Sequence, residues 1–324
     1  MDLKQNADEN MSYEQLIAQE SEYWGKFQEE ADGLGIPVWC DLKRGTKLSR
    51  VICSWMYDPQ IQDALKGDCR NRLIETACRS KGRALDLGCG AGWLSLELAR
   101  RGMSVDGFEI SARSLAIAEK YLKANPFKSG FGSVSYSIKD LNTVDLEKSA
   151  YQAVVSWDTL HHIPEIESLM RRISASLLPG GYFIFYDHIG MQKPNRWVIR
   201  AVKLAISPLL IAFRNRKPSE PAGAAAEKKA AGGADAQLVS PFEDVSGHEM
   251  IDLVKKHFEV ELVRTQLCFL SALANELLNF PDFLKYRVFR ALKAVDDLLI
   301  SSGLVRGEYV FVVAKKRGGA GPGL

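Results

Sequence analysis

The run Arg83-Ala84-Leu85-Asp86-Leu87-Gly88-Cys89-Gly90-Ala91-Gly92-Trp93-Leu94-Ser95-Leu96-Glu97-Leu98-Ala99-Arg100 decides how this chain is read. It opens as a short apolar strand, passes through a glycine-rich turn and leaves as a helix. Leu94 and Leu98, four apart, share one face of that helix. Gly88, Gly90 and Gly92 let the backbone turn sharply and come close to a ligand, because no Cβ is in the way. The helix N-terminus behind them points free N–H groups into the turn. A second strand, Ser104-Val105-Asp106-Gly107-Phe108-Glu109, follows and ends in an acid. An acid about twenty residues after such a turn accepts hydrogen bonds from ribose hydroxyls. The stretch therefore reads as a nucleoside-binding turn.

Composition narrows the surroundings of that turn. The 324 residues are 46% hydrophobic, enough to bury a sizeable core in one large domain or one domain with additions. A formal net charge of +2 with no long basic run argues against a nucleic-acid partner. Six cysteines (Cys40, Cys53, Cys69, Cys78, Cys89, Cys268) show no CxxC pair, so they read as reduced thiols of a cytoplasmic protein. The polar, acidic start Met1 to Asn10 lacks the basic and apolar regions of a signal peptide. The segment Trp197 to Phe213 comes nearest to a membrane span, but it is too short and carries Arg200, Lys203 and Pro208.

Residues 1–80 read as a helical extension or cap. Ser12 starts a helix with Gln15 reaching back to it, and Tyr23, Trp24 and Phe27 recur at helical spacing. A second helical pattern spans Tyr57 to Ala77. The extension packs on the main domain, and Trp24, Trp39 and Tyr57 are candidates for closing the ligand pocket. From Arg83 onward, strands alternate with helices. Ser111 caps a helix through Leu122; strands follow at Ser133–Ile138 and Tyr151–Trp157; a helix runs from Glu165 to Leu178 and stops at Pro179-Gly180-Gly181 before a strand at Tyr182–Asp187. This rhythm predicts a parallel sheet with helices on both faces.

After Asp187 the rhythm breaks. Residues 188–240 hold an apolar helix and an Ala/Gly-rich tract, Pro218 to Gln237, that reads as a disordered loop. Residues 241–318 return to the sheet, with strands at Phe258–Val263 and Tyr309–Ala314 separated by helical sequence from Leu270 to Ser302; 319–324 form a flexible tail. In the helix Trp197 to Phe213, Pro208 is expected to kink or break the middle. Its narrow polar stripe allows a peripheral membrane contact, but a packed lid helix or a dimer contact is the preferred reading.

A glycine turn alone does not separate NAD-binding from S-adenosylmethionine-binding sheets. Here the acid Asp86 stands two places before the first glycine, and the glycines recur every second residue, unlike GxGxxG. The third strand ends in Asp140, and the fourth in Trp157-Asp158, followed by Leu160-His161-His162-Ile163. Leu177-Leu178-Pro179-Gly180-Gly181 introduces the fifth strand. From Lys81 to Asp187, together with the final strand pair, the chain resembles the class I S-adenosylmethionine-dependent methyltransferases. The resemblance implies a doubly wound, Rossmann-like α/β fold with a mostly parallel seven-stranded sheet and an antiparallel last strand. It also implies S-adenosyl-L-methionine as cofactor. Asp86, Gly88, Cys89 and Gly90 would then cradle its methionine part, Glu109 the ribose with Ile110 alongside, and Asp140 and Leu141 the adenine. Trp157 would lie near the methionine and its methyl.

A looser resemblance runs through Asp187-His188-Ile189-Gly190 and Pro194-Asn195-Arg196-Trp197 to methyltransferases of bacterial polysaccharide and glycolipid gene clusters. Here His188 replaces the usual Tyr and Met191-Gln192-Lys193 intervenes. The resemblance implies a small-molecule or glycan- or lipid-linked acceptor, with oxygen preferred over nitrogen or carbon. The rival of another class is a cofactor-binding partner protein without turnover. An oxygen acceptor gains from a general base, worth roughly 10² to 10⁴-fold. His162 and His188 are the first candidates, with His161 and Asp187 beside them. No metal-ligand spacing is visible among the histidines and acids. If the last strand is antiparallel, the additions after strand five and before the last strand leave the carboxyl-end rim, so they are expected to shape the acceptor pocket.

Overall fold

The sheet orders its strands β3-β2-β1-β4-β5-β7-β6 in a computed structural model that describes residues 11–33, 59–125, 127–190, 193–213, 240–243, 247, 249–277 and 280–317. β1 (Arg83–Leu87) lies between β2 (Ser104–Glu109) and β4 (Tyr151–Trp157), parallel to both. β3 (Ser133–Ile138) extends one side in parallel, and β5 (Leu177–His188) the other. β7 (Tyr309–Lys316) runs antiparallel to both β5 and β6 (Phe258–Gln266). The seven-stranded sheet with its antiparallel last strand is the expected one. Strand order reverses between β1 and β4, and in an open α/β sheet the crevice beyond the carboxyl ends at that point is where ligands bind.

Central strands are apolar on both faces because helices cover both. On one side Leu85, Leu87, Val154, Phe183 and Phe185 meet α5 (Ile166–Ser176) and α7 (Met250–His257). On the other, Ala84, Val155, Ile184 and Tyr186 meet α2 (Pro59–Ala77) and α3 (Trp93–Ala99). Strand starts follow the sequence reading, except that β5 begins five residues earlier than expected; β5, β6 and β7 also run on past their expected ends at Asp187, Val263 and Ala314. The segment Leu178 to Gly181 is looped out between the pairs Tyr151–Leu177 and Ala153–Tyr182, so the Pro-Gly-Gly turn becomes an irregularity inside the strand instead of its boundary.

Three helical features sharpen or correct the sequence reading. The stretch from Leu270 divides into α8 (Leu270–Leu277) and α9 (Asp282–Ser301), because Pro281 takes the N-cap place of the second helix. The buried Asp296 of α9 accepts hydrogen bonds from the amides of Cys268, Phe269 and Leu270, fixing the start of α8 against it. α6 (Lys193–Phe213) runs through Pro208 without ending. The carbonyl of Leu204, which Pro208 cannot reach with an N–H, accepts from Ser207 Oγ at 2.8 Å. Finally, no described residue of α6, α8 or α9 lines the large cavity described below. Their apolar faces instead join Ile61 and Leu65 of α2 in a third hydrophobic cluster, so these insertions stand beside the site and α2 stands between. The outer face of α6 leaves Trp197 71% and Leu204 76% exposed.

The N-terminal helix α1 (Tyr13–Gly33) takes the covering position. Its start is the expected reciprocal cap: Ser12 Oγ accepts from Gln15 N, and Ser12 N donates to Gln15 Oε1 at 2.7 Å. It lies along α4 (Ala112–Lys123), tied by Lys120 and Tyr121 to Asp32 and by Ser21 Oγ donating to the Ile110 carbonyl. Gly25 allows this approach: a Cβ there would stand 2.6 Å from Ser111 Oγ and 3.1 Å from Arg113 Cβ. Trp39, Tyr57, Cys40, Cys53, the tract Pro218 to Gln237 and the C-terminal tail lie outside the described residues.

Candidate active site

A cavity of about 540 Å³ sits at the carboxyl ends of β1, β2, β4 and β5, roofed by α1. Gly88 and Gly90 form its floor, and with Gly92, which packs behind it, they hold φ of +67°, +52° and +83°, left-handed conformations that β-carbons oppose. Gly88 N and Cys89 N both donate to the Phe108 carbonyl, locking the turn to β2. Glu109, at the end of β2, is 7% exposed and accepts three backbone bonds: Gly90 N on Oε2, and Ile110 N and Ser111 N on Oε1. Burial raises its pKa against these three donors.

Of the expected cofactor contacts, Gly88, Cys89, Gly90, Glu109, Ile110, Asp140, Leu141 and Trp157 all line the cavity. Asp86 does not. Its carboxylate is 1% exposed and turned back into the fold, where Ser95 Oγ donates to it at 2.6 Å. Burial, opposed by Ser95 and reinforced by Glu109, pushes its pKa up to about 7. Asp86 therefore ties the turn to the first turn of α3, and the structure gives it no wall of the cavity. Asp140 lines the cavity but is already engaged. Oδ1 accepts from the amide and side chain of Asn142, and Oδ2 from the Tyr13 hydroxyl at 2.6 Å and Thr143 Oγ1. Trp157 is clamped, stacked on Tyr186 at 4.5 Å and edge-on to Trp93 at 5.4 Å.

Beyond Trp157 the cavity becomes rich in titratable groups. Asp158 holds φ +52° and pairs with Lys66 Nζ of α2 at 2.7 Å; the ammonium lies 4.9 Å and 4.6 Å from the Tyr186 and Tyr309 ring centres. Asp187, fully buried, organises the following turn. It accepts from the amides of Thr159, Leu160, His161 and His188 and lies 2.5 Å from His161 Nδ1. Burial alone raises its pKa, but the His161 ring and these amides bring it below the ordinary value; it is an anchor shut off from the cavity. The same pairing lifts the His161 pKa well above its usual range, against a burial effect of opposite sign. His162 packs edge-on to Trp24 at 5.1 Å, and its Nδ1 lies 3.3 Å from Glu20 Oε1. His188 faces Tyr309 and His161, with ring centres 5.0 Å and 5.8 Å away.

The fold thus brings His162 and His188 to one end of the same cavity as the glycine turn. It adds residues that the sequence reading passed over: Glu20, Gln62, Lys66, Arg70, Asp158 and Glu243. One signal was available. Gln62, Lys66 and Arg70 recur every four residues beside the apolar stripe Ile61, Leu65 and Cys69, marking a polar helix face turned toward something enclosed. Glu20 and Glu243 meet only through the fold, 223 positions apart in a chain that pairs both with His162.

The family model described as a methyltransferase domain matches residues 58–205. Over 117 residues the chain is 26% identical to a ubiquinone biosynthesis O-methyltransferase of Coxiella burnetii, covering 36% of this chain and 48% of that protein. It is 27% identical over 171 residues to an arsenite methyltransferase of Aquipseudomonas alcaligenes, covering 51% of this chain and 48% of the relative. The chain spans about half the length of these curated relatives. Among solved structures, geranyl diphosphate C-methyltransferase from Streptomyces coelicolor A3(2) shares the fold with a TM-score of 0.52. The two are 14% identical, over 93% of this chain and 97% of that one. Over residues 58–205 the chain carries a methyltransferase domain, built on the seven-stranded sheet expected of the class I S-adenosylmethionine-dependent fold.

Proposed function

We propose that the protein transfers the methyl group of S-adenosylmethionine to an oxygen atom of a small or glycan-like acceptor. The observation that carries this reading is the continuity of the cavity. It joins the glycine turn, Glu109 and Asp140 at one end to His161, His162, His188 and the Lys66–Asp158 pair at the other. The residues fit the cofactor. A Cβ built on Gly90 would meet nothing nearer than Gln28 Nε2 at 3.5 Å, so the turn leaves a cradle open toward α1. When bound, S-adenosylmethionine supplies a methyl group already made electrophilic by the sulfonium.

The chain's own task is then to bind, orient and keep water out. Glu109 holds the nucleoside end, and the open backbone surface at Gly88 and Gly90 borders the methionine part. Leu141 borders the base, and the Trp93–Trp157–Tyr186 stack gives a rigid wall next to the reacting end. Ile17, Trp24 and Phe27 of α1 close the roof. His188 stands at the carboxyl end of β5 and takes the acceptor's proton as its oxygen attacks. The four described cysteines (Cys69, Cys78, Cys89, Cys268) are unpaired, the state expected in the reducing cytoplasm, where we place the protein.

Calorimetry with S-adenosylhomocysteine and with NADH tests the cofactor, and transfer of a labelled methyl to hydroxylated sugars and phenols tests the reaction. The expected result is one-to-one binding of S-adenosylhomocysteine and label in an ether. Tight NADH binding without S-adenosylhomocysteine binding would overturn the proposal. His188→Ala is expected to lower kcat by roughly 10² to 10⁴-fold with cofactor affinity intact. Full activity would dismiss His188 as the base.

A further inference from the structure

At the acceptor end of the cavity, side chains from three separate segments converge. His161 and His162 come from the turn after β4, Glu243 from residues 240–243, and Glu20 from α1. Asp187 fixes His161 through Nδ1 at 2.5 Å, which leaves Nε2 facing Glu243 Oε1 at 3.8 Å. His162 repeats the arrangement. Its Nδ1 lies 3.3 Å from Glu20 Oε1, and its Nε2 faces Glu243 Oε2 at 3.8 Å. One ligand atom from each of His161, His162 and Glu243 lies within 4.8 Å of the other two.

Two imidazoles, each with a buried carboxylate against Nδ1 and its Nε2 turned to one shared carboxylate, are an unusual way to make hydrogen bonds. At 3.8 Å neither Nε2 is within hydrogen-bond distance of Glu243. They are an ordinary way to ligate a cation. Metal-binding histidines almost always donate their other ring N–H to a carboxylate or carbonyl, which sets the tautomer and aims the ring. Bonds of about 2.1 Å from nitrogen and oxygen to a tetrahedral ion put the ligand atoms roughly 3.4 Å apart, so drawing the set in from its present spread of up to 4.8 Å takes side-chain shifts on the order of an ångström, within reach of the half-exposed Glu243. Two histidines and one carboxylate with remaining positions open is a donor set suited to divalent iron or zinc.

We propose that His161, His162 and Glu243 form a site for a divalent transition-metal ion, open to the cavity, that receives the nucleophilic oxygen of the acceptor. The site rests on the methyl-transfer reading and narrows its substrate class to acceptors whose oxygen can ligate a cation, such as a phenol, an enol or a hydroxy acid. A cation favours the ionised form of such an oxygen. The O–H proton passes to His188; the O–CH₃ bond forms as the S–CH₃ bond breaks; the bonding pair stays on sulfur and leaves a neutral thioether.

The test uses the full chain, dialysed against a chelator, and cobalt(II) as probe. A visible d–d band saturating at one equivalent is expected. Glu243→Gln and His162→Gln are each expected to weaken cobalt binding by at least tenfold, and Glu20→Gln, which acts on the ion through His162, by roughly 10 to 100-fold. Glu243 is 46% exposed, so its exchange leaves the core untouched, and retained S-adenosylhomocysteine affinity certifies the fold of each variant. Absence of saturable cobalt binding, or affinities unchanged by both Glu243→Gln and His162→Gln, would overturn the site. Because the cofactor is measured separately, cobalt binding without S-adenosylhomocysteine binding sinks the methyl-transfer reading and keeps the metal site. The reverse result sinks the site alone.

Discussion

Replacing Glu109 with Gln isolates one hydrogen bond to the cofactor, and its size follows from counting lone pairs. A carboxylate offers about four acceptor sites. Three are occupied here, two on Oε1 by Ile110 N and Ser111 N at 2.9 Å and 3.0 Å, and one on Oε2 by Gly90 N at 2.9 Å. One site remains, on Oε2, for a ribose hydroxyl. A hydrogen bond to a charged group contributes about 1.5–3 kcal/mol, so its loss weakens S-adenosylhomocysteine binding by roughly 10 to 150-fold. The variant keeps the side-chain shape and one oxygen for Ile110 and Ser111, but turns an amide nitrogen toward Gly90 N–H. Some loss of unliganded stability therefore accompanies the change. The two effects separate in a double-mutant cycle, run by calorimetry with S-adenosylhomocysteine and its 2′,3′-dideoxy analogue on both proteins. The variant's penalty is expected with the first ligand and absent with the second. A penalty below about threefold, or one equal for both ligands, would refute the count and the ribose contact with it.

Three further outcomes follow from the same geometry. Asp86 has its pKa raised by burial to about 7, against about 4 in an unfolded chain, so between those values the folded state holds an extra proton and stability falls as pH rises. Denaturant titrations from pH 4 to 8 should lose roughly 4 kcal/mol of that slope in Asp86→Asn, while cofactor affinity stays level; an unchanged slope contradicts the assignment. Tyr13→Phe frees one acceptor site on Asp140, so S-adenosylhomocysteine should bind about 2 to 12-fold tighter by calorimetry; equal affinity means that adenine does not use Asp140. Lys66→Met strips Asp158 of its cation at a pair that is 9% and 32% exposed, and should cost roughly 1–3 kcal/mol in urea titrations, with no change if the pair is ornamental.

How far the sequence could be read depended on whether its signals were local. β1, its glycine turn and β2 were legible because periodicity, positive-φ glycines and the terminal acid lie within one short run. The Pro-Gly-Gly boundary misled because a proline is allowed where a strand is looped out of its ladder, which depends on the partner strand. Pro208 does not break α6, and Ser207 Oγ satisfies the carbonyl that it orphans. Asp86 stood in the motif but faces away, since side chains alternate along a strand and only one side of β1's end meets the cavity. Glu20, Lys66 and Glu243 were beyond reach for a different reason. Each belongs to an element outside the recurring sheet unit, and only packing brings it to His162 or Asp158. Topology placed the additions on the correct rim. It could not say that the third hydrophobic cluster would draw α6, α8 and α9 toward α2 and leave the covering position to α1.

That covering position makes α1 the element that governs ligand exchange, and Gly25 is where this can be tested. α1 is held by polar ties at Asp32, Ser21 and Glu20 and by few fully buried apolar side chains, so its detachment costs less than opening the sheet. In a helix interior, Gly→Ala ordinarily stabilises by about 1 kcal/mol. Here the new Cβ would meet Ser111 Oγ at 2.6 Å and Arg113 Cβ at 3.1 Å, both on short, fixed parts of α4's first turn. A better helix that no longer fits its seat should lift away while the domain beneath keeps its stability. Gly25→Ala is therefore expected to speed dissociation of S-adenosylhomocysteine by about tenfold in stopped-flow displacement, an overpacking effect of 1–3 kcal/mol on docking. The main urea transition should not fall. If dissociation slows or stays constant in a correctly folded variant, α1 is a passive ornament of the domain, and the way into the cavity lies elsewhere.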